Sequence, residues 1–156
     1  MDFSSYLIYR DGILIWKTKR PGRGCVVGAE AGTINSAGRR VVEIHGKKYL
    51  AHRIIWEMHH GSIPNDLCID HIDGNVVNNR LENLRLVTLS INQRNSKLPR
   101  NNKTGIMGVT PKKSGFAVQC AGKYIGYFKD FFEACCARKS AEPLMGFHAN
   151  HGRKSA

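Results

Sequence analysis

Short apolar runs broken by Gly, Asp and Asn punctuate the chain, and they predict strands more often than helices. Tyr6-Leu7-Ile8-Tyr9 and Ile13-Leu14-Ile15-Trp16 flank Asp11-Gly12, a pair suited to the positive φ angles of a tight primed turn, so residues 6–17 predict a hairpin. Residues 18–28 are basic and glycine-rich, a loop. Strands are expected at 31–35, 40–45 and, after the Gly46-Lys47 turn, 48–51. His52 to His60 predicts a short helix with Ile55, Trp56 and His59 on one face and Gly61 as a left-handed C-terminal cap. Two more strands, 67–71 and 85–87, enclose an asparagine-rich loop, and Thr88 can cap a helix from Leu89 to about Asn95.

Residues 96–105 are polar, with one proline and one glycine, and predict a linker. Beyond it, Ile106 to Val109, Phe116 to Cys120 and Lys123 to Phe128 predict a three-stranded antiparallel sheet. Asp130 then caps a helix, with Glu133 three residues on completing a capping box. The run Ala134-Cys135-Cys136-Ala137 offers that helix a small-residue face for close approach to the sheet. The expected fold class is α+β: residues 1–95 as a β-rich segment leading into a strand–strand–helix core at about 67–95, then the linker, then a sheet-and-helix module over 106–156.

Composition narrows the class of protein. With 156 residues, 42% hydrophobic and 23% charged, the chain suits one compact domain or two small ones, and disorder is excluded. Apolar runs stop at four residues, so no membrane span is expected, and the start lacks the basic flank and apolar block of a secretory signal. Five cysteines without a Cys-x-x-Cys pair give no support to a zinc site of that spacing and suit reduced thiols in the cytoplasm. The net charge of +12 points to a polyanionic partner, nucleic acid first. Residues 1–100 carry 15 basic and 9 acidic side chains, while 101–156 carry 9 and 3, so the shorter part is almost twice as basic per residue.

The chemistry concentrates in IDHIDGNVVNNRLENLRLVTLSINQRN, residues 69–95. Asp70 and His71 end one strand, and Asn92 falls on the helix that follows the next, so a fold-back brings them together. Two oxygen donors, Asp70 and Asn92, leave open positions on a hard divalent cation and suit magnesium or manganese better than zinc. His71 offers a base with an ordinary pKa of about 6.5, which a nearby cation would lower. Asp73 stands at an offset suited to orienting His71 and is equally a turn signal with Gly74. Arg80 suits a phosphate contact or a surface ion pair; Asn75, Asn78 and Asn79 suit loop hydrogen bonds. His52, His59 and His60 read as packing or surface residues, and His45, His148 and His151 have no evident partner.

Asp70-His71, Asp73-Gly74-Asn75, Asn78-Asn79-Arg80, Asn83-Leu84 and Asn92, preceded by His52-Arg53 and Trp56, resemble in order the HNH nuclease motif, the ββα-metal fold, in the form found in phage and homing endonucleases. The last His of the motif is Asn here. The resemblance implies Asp70 and Asn92 as ligands of one magnesium or manganese ion, His71 as general base, and Asn83 as a brace across the loop. Adjacent residues of a flat strand face opposite sides, so Asp70 and His71 serve one phosphate only where the strand twists or ends.

Residues 101–150 resemble the ethylene-response-factor type of DNA-binding domain through Gly105, Gly108-Val109, Gly115-Phe116-Ala117, Gly122-Lys123, Ile125-Gly126, Phe128, Glu133-Ala134, Ala137, Ala141, Gly146 and Ala149-Asn150. Phe116 replaces the usual Trp, and Arg138-Lys139 stands where Tyr-Asp is common. That family's sheet lies in the DNA major groove, which implies Thr110, Lys112, Lys113, Gln119, Lys123 and Tyr124 as DNA-facing residues. Lysines suit phosphate, and Gln119 suits an adenine edge.

The resulting expectation is a phage-encoded, metal-dependent endonuclease acting on double-stranded DNA in the bacterial cytoplasm, with no membrane partner and a monomer favoured. The alternatives are a non-cleaving DNA-binding regulator with a relict nuclease site and a structural RNA-binding protein. Magnesium-dependent cleavage separates the first from both.

Overall fold

The computed structural model describes residues 1–19 and 26–153. Residues 20–25 of the expected basic loop, Cys25 among them, lie outside the described residues. The fold is α+β and divides into two compact units, Met1–Leu89 and Ser90–Ala156. Among the described residues no helix is long and apolar enough to cross a membrane.

The first unit opens with the expected hairpin. Strands β1 (Leu7–Arg10) and β2 (Ile13–Trp16) pair antiparallel, Leu7 opposite Trp16 and Arg10 opposite Ile13. Asp11 and Gly12 turn between them at φ 46° and 88°, the primed geometry that lets a two-residue loop follow the strands' twist. A three-stranded antiparallel sheet follows, β3 (Thr33–Ile34), β4 (Arg40–Ile44) and β5 (Lys47–Leu50), with β4 in the centre.

Helix α1 (Ala51–His60) packs against β4, β5 and the next strand, β6 (Leu67–His71). Its buried face corrects the expectation. Ala51, His52, Ile54 and Ile55 point inward, Trp56 is half-buried and His59 is exposed. The fully buried residues fall in the first half of the helix, while Trp56 and Met58 of the second half pack against the core partly exposed and His59 and His60 face outward.

Strand β6 pairs antiparallel with β7 (Leu84–Thr88), which places Asp70 opposite Arg85 and His71 opposite Leu84. Ile69 and Leu84 join Phe3, Leu7, Leu14, Val42, Ile44, Ile54 and Ile55 in one apolar cluster. Burying an Ile or Leu side chain contributes about 1.5–3 kcal/mol, so the strand end carrying Asp70 and His71 is anchored from both sides of the ladder. Helix α2 (Leu89–Gln93) follows, two residues shorter than expected.

The second unit forms the expected sheet and helix: β8 (Val109–Lys112), β9 (Gly115–Cys120) and β10 (Lys123–Phe128), antiparallel with β9 central, then α3 (Phe131–Leu144). The first strand starts three residues later than predicted. Gly105 and Gly108 take φ of 75° and 76°, and Asn102 Oδ1 accepts from the Gly105 amide at 2.6 Å, so residues 102–108 are spent on turns. Pro111 is tolerated because β8 is an edge strand.

Asp130 caps α3 as expected, its carboxylate accepting from the Glu133 amide at 2.9 Å. The inward stripe of α3 is Ala134, Arg138, Ala141 and Glu142, whereas Cys136 of the anticipated small-residue face is exposed. Ala134 completes a small core with Val109 and Val118. Arg138 is buried: Nη1 donates to the Gln119 carbonyl at 2.9 Å, Nη2 to His151 Nε2 at 3.2 Å, and Nε forms an ion pair with Glu142 Oε1 at 3.2 Å without a hydrogen bond of good geometry. Burial lowers the His151 pKa and Arg138 adds to this against the opposing pull of Glu142. The segment 96–105 is bonded into this unit: Leu98 donates its amide to Arg153 O and Gly152 to Ser96 O, both at 2.9 Å.

Candidate active site

Strand β6 ends at His71, and the chain leaves the ladder through a turn closed by the Gly74 amide on His71 O at 2.8 Å. Asp70 and His71 are each only 6% exposed. Arg85, the cross-strand neighbour of Asp70, donates from Nε and Nη2 to Asp70 Oδ2 at 3.0 and 2.7 Å. His71 is held differently. Its Nε2 lies 2.9 Å from Asn79 Oδ1, and its ring meets the His52 ring edge-on at 5.0 Å. An amide oxygen only accepts, so Nε2 of His71 carries the proton in this bond.

The orienting group is therefore Asn79, 3% exposed, and not Asp73. The Asp73 carboxylate is taken up by the loop, accepting from the Asn75 amide at 2.7 Å, Asn78 Nδ2 at 2.7 Å and Asn83 Nδ2 at 2.9 Å. Burial alone would raise its pKa; these hydrogen bonds and the His71 charge outweigh that and lower it. Asn83 closes the loop. Its Oδ1 accepts from the Asp73 amide at 3.0 Å, its Nδ2 also reaches Asn78 O at 2.8 Å, and its backbone oxygen accepts from the Ile72 amide at 2.8 Å. Arg80 is exposed beside this loop.

Three functional candidates escaped sequence reading: His52, Asn79 and Arg85. His52 is buried on α1, and burial first, then the charges of His71, Arg39 and Arg53, pushes its pKa down to about 3. It is therefore a neutral ring packed on His71. Asn79 could not be told from its neighbours Asn75 and Asn78 by composition. Arg85 had a signal, since it stands opposite Asp70 once the two strands are registered.

Asn92 is half-buried on α2 and belongs to the second unit, where its carbonyl accepts from the Asn95 amide at 3.0 Å. On the sheet of that unit, Thr110, Ala117 and Tyr127 form one cross-strand row and Gln119 and Tyr124 the next. Tyr124 is 63% exposed, and Lys112 and Lys113 are exposed at the end of β8 and in the turn after it. Lys123 pairs with buried Cys120, so its parity is opposite to that of the row with Tyr124, although it too is exposed.

The donor chemistry fits a hard divalent cation. Asp70 supplies a buried carboxylate, a hard oxygen donor that already neutralises a cation, the Arg85 guanidinium. Among the described residues no group of three or more His, Cys, Asp or Glu side chains is placed to hold a metal.

In chain order, a buried strand end bearing Asp-His is followed by an asparagine-braced loop, a returning strand and a short helix. Residues 49–94 match the HNH endonuclease family, and the chain carries an HNH endonuclease domain there. Protein 3.8 of Escherichia phage T7 is 44% identical to this chain over 62 residues, 40% of this chain and 51% of that protein. The match thus spans about half the length of that curated relative. No solved structure matches the chain. The family match ends at residue 94 and leaves the sheet-and-helix module outside it.

Proposed function

We propose that this chain is a metal-dependent DNA endonuclease that hydrolyses phosphodiester bonds through His71 as general base and one divalent metal, magnesium or manganese. The observation that carries the reading is the setting of His71 inside an HNH match: buried at a strand end beside Asp70, with Nε2–H tied to Asn79. That bond orients the ring for taking a proton from the attacking water. Asp70 and Asn92 would hold the metal, with Arg85 giving up part of its contact with Asp70. When bound, the metal supplies charge stabilisation at the scissile phosphate and the leaving oxygen. Asn83 braces the loop, and Arg80 stands exposed beside it for a phosphate contact.

The second unit is, on this reading, an ethylene-response-factor-like module that holds double-stranded DNA with Thr110, Lys112, Lys113, Gln119, Lys123 and Tyr124. Support comes from the sheet-and-helix fold and from the exposure of all six side chains.

The test is cleavage of supercoiled and linear DNA with and without magnesium, in wild type and Asp70→Ala. Metal-dependent cutting that the substitution abolishes is the expected result; cutting that survives chelation defeats it. A non-cleaving DNA-binding regulator draws on one observation, the Arg85 guanidinium already seated on Asp70. DNA binding without metal-dependent cleavage would favour it.

A further inference from the structure

The N-terminal hairpin lies outside the stretch that matches the HNH family, yet it touches the loop that orients His71. Gly12, at φ 88° in the turn, has its backbone against the Asn79–Arg80 peptide. A Cβ there would sit 2.9 Å from the Arg80 nitrogen and 3.1 Å from the Asn79 carbonyl carbon. Tyr9, on β1, accepts from the Leu81 amide at its hydroxyl, 3.0 Å away, and its ring meets His59 of α1 edge-on at 4.9 Å. The peptides on both sides of Arg80 are thus clamped by a turn and a side chain about 70 residues upstream. Asn79, immediately before that clamp, carries the oxygen that holds His71 Nε2.

We propose that Gly12 and Tyr9 are positioning residues: the hairpin sets the Asn79–Leu81 backbone, and Asn79 passes that setting to the His71 ring. The physical reason is leverage. Asn83 holds the loop to Asp73 and Asn78, but the Asn79–Arg80 peptide itself takes its outer contact from the hairpin. A base displaced by about 1 Å costs on the order of 10²-fold in rate. This inference rests on the reading of His71 as the base.

The test uses the full chain and four variants: Tyr9→Phe, Gly12→Ala, Asn79→Ala and Asn79→Asp. The first readout needs no cleavage. Nitrogen NMR of the His71 ring at about pH 8, above the ordinary histidine range, reports which nitrogen bears the proton. Wild type and Asn79→Asp should show the Nε2–H form, since a carboxylate accepts the same bond. The other three variants should show a mixture.

The second readout is the split between kcat and KM for DNA cleavage. Tyr9→Phe should lower kcat about tenfold, the scale of one lost hydrogen bond, with KM unchanged. Gly12→Ala should lower it about 10²-fold. Adding Tyr9→Phe to Asn79→Ala should cost nothing further, because the path runs through Asn79. Independent, multiplying losses would overturn the proposal, as would variants that lose thermal stability while the tautomer and kcat of the folded fraction stay as in wild type. A wild type that shows the Nε2–H form, with variants that lose it, but cuts no DNA would defeat the nuclease reading and leave the positioning intact. An unchanged tautomer in a cutting Tyr9→Phe enzyme would do the reverse.

Discussion

The two units treat their polar residues in opposite ways. In the first, His52, Asp70, His71, Asn79 and Asn83 are all buried and contact one another, Asp73, Arg85 and the loop backbone through hydrogen bonds and ring packing. In the second, Thr110, Lys112, Lys113, Gln119, Lys123 and Tyr124 stand exposed on or beside a sheet whose opposite face carries the core. A buried, mutually bonded set fixes atoms to within the tolerance that proton transfer needs, and each member is expensive to lose. An exposed basic face leaves its side chains free to follow a phosphate backbone, and each contributes modestly and in a salt-dependent way. Chemistry should therefore break at single residues in the first unit, and affinity should erode gradually in the second.

The sharpest break is His71→Ala. Cleavage should fall by roughly 10²–10⁴, the usual scale for a general base, while DNA affinity measured without metal stays near wild type. An equal loss of affinity and rate would mean that the buried set binds rather than reacts.

Next comes acid sensitivity. His52 has a folded pKa of about 3 against an ordinary value of about 6.5. Its contribution is complete above pH 6.5, because neither state then binds a proton there. As pH falls through about 6.5 toward about 3 the unfolded chain is protonated first, so stability is lost, by about 2 kcal/mol at pH 5. Thermal melts across this range should show the loss in wild type and a flatter profile in His52→Phe. Equal profiles would remove His52 from the buried set.

Single Lys→Gln changes at 112, 113 and 123 should each weaken binding about fivefold near physiological salt and make the log K against log salt slope shallower by about 0.9. Cleavage at saturating DNA should hold. Unchanged slopes would mean the exposed face is not the DNA contact. Within these lysines the structure adds a ranking: Lys123, of opposite parity to the Gln119–Tyr124 row, should change the slope least.

The smallest effect is local. Asp130→Ala removes the cap of α3 and should cost about 1 kcal/mol of stability, with DNA cleavage unchanged when the protein is folded. A loss of cleavage in the folded variant would tie the α3 cap to the reaction and blur the contrast between the units.

Much of this molecule is local enough to be read from residue order. The Asp11-Gly12 turn, the alternation of β1 and β2, the Asp130 cap of α3 and the sequence of strand, asparagine loop, strand and short helix each depend on neighbours within a few positions. The Asp-His pair and the spaced asparagines were legible for the same reason. What residue order left open is which group holds which. Asp73 stood at an offset suited to orienting His71 and Asn79 suited loop hydrogen bonds, yet Asn79 holds His71 because the loop's own amides claim the Asp73 carboxylate. His52 read as a packing or surface residue, and only the burial of the first turn of α1 decides that it packs. Arg85 reaches Asp70 across 15 positions, and Tyr9 reaches Leu81 across 72. Such partners are set by which faces the apolar core of Leu7, Leu14, Ile54, Ile55, Ile69 and Leu84 draws together. Burial is a property of the packed whole, so the elements follow from local patterns while the neighbours of His71 are decided only when those elements close on a common core.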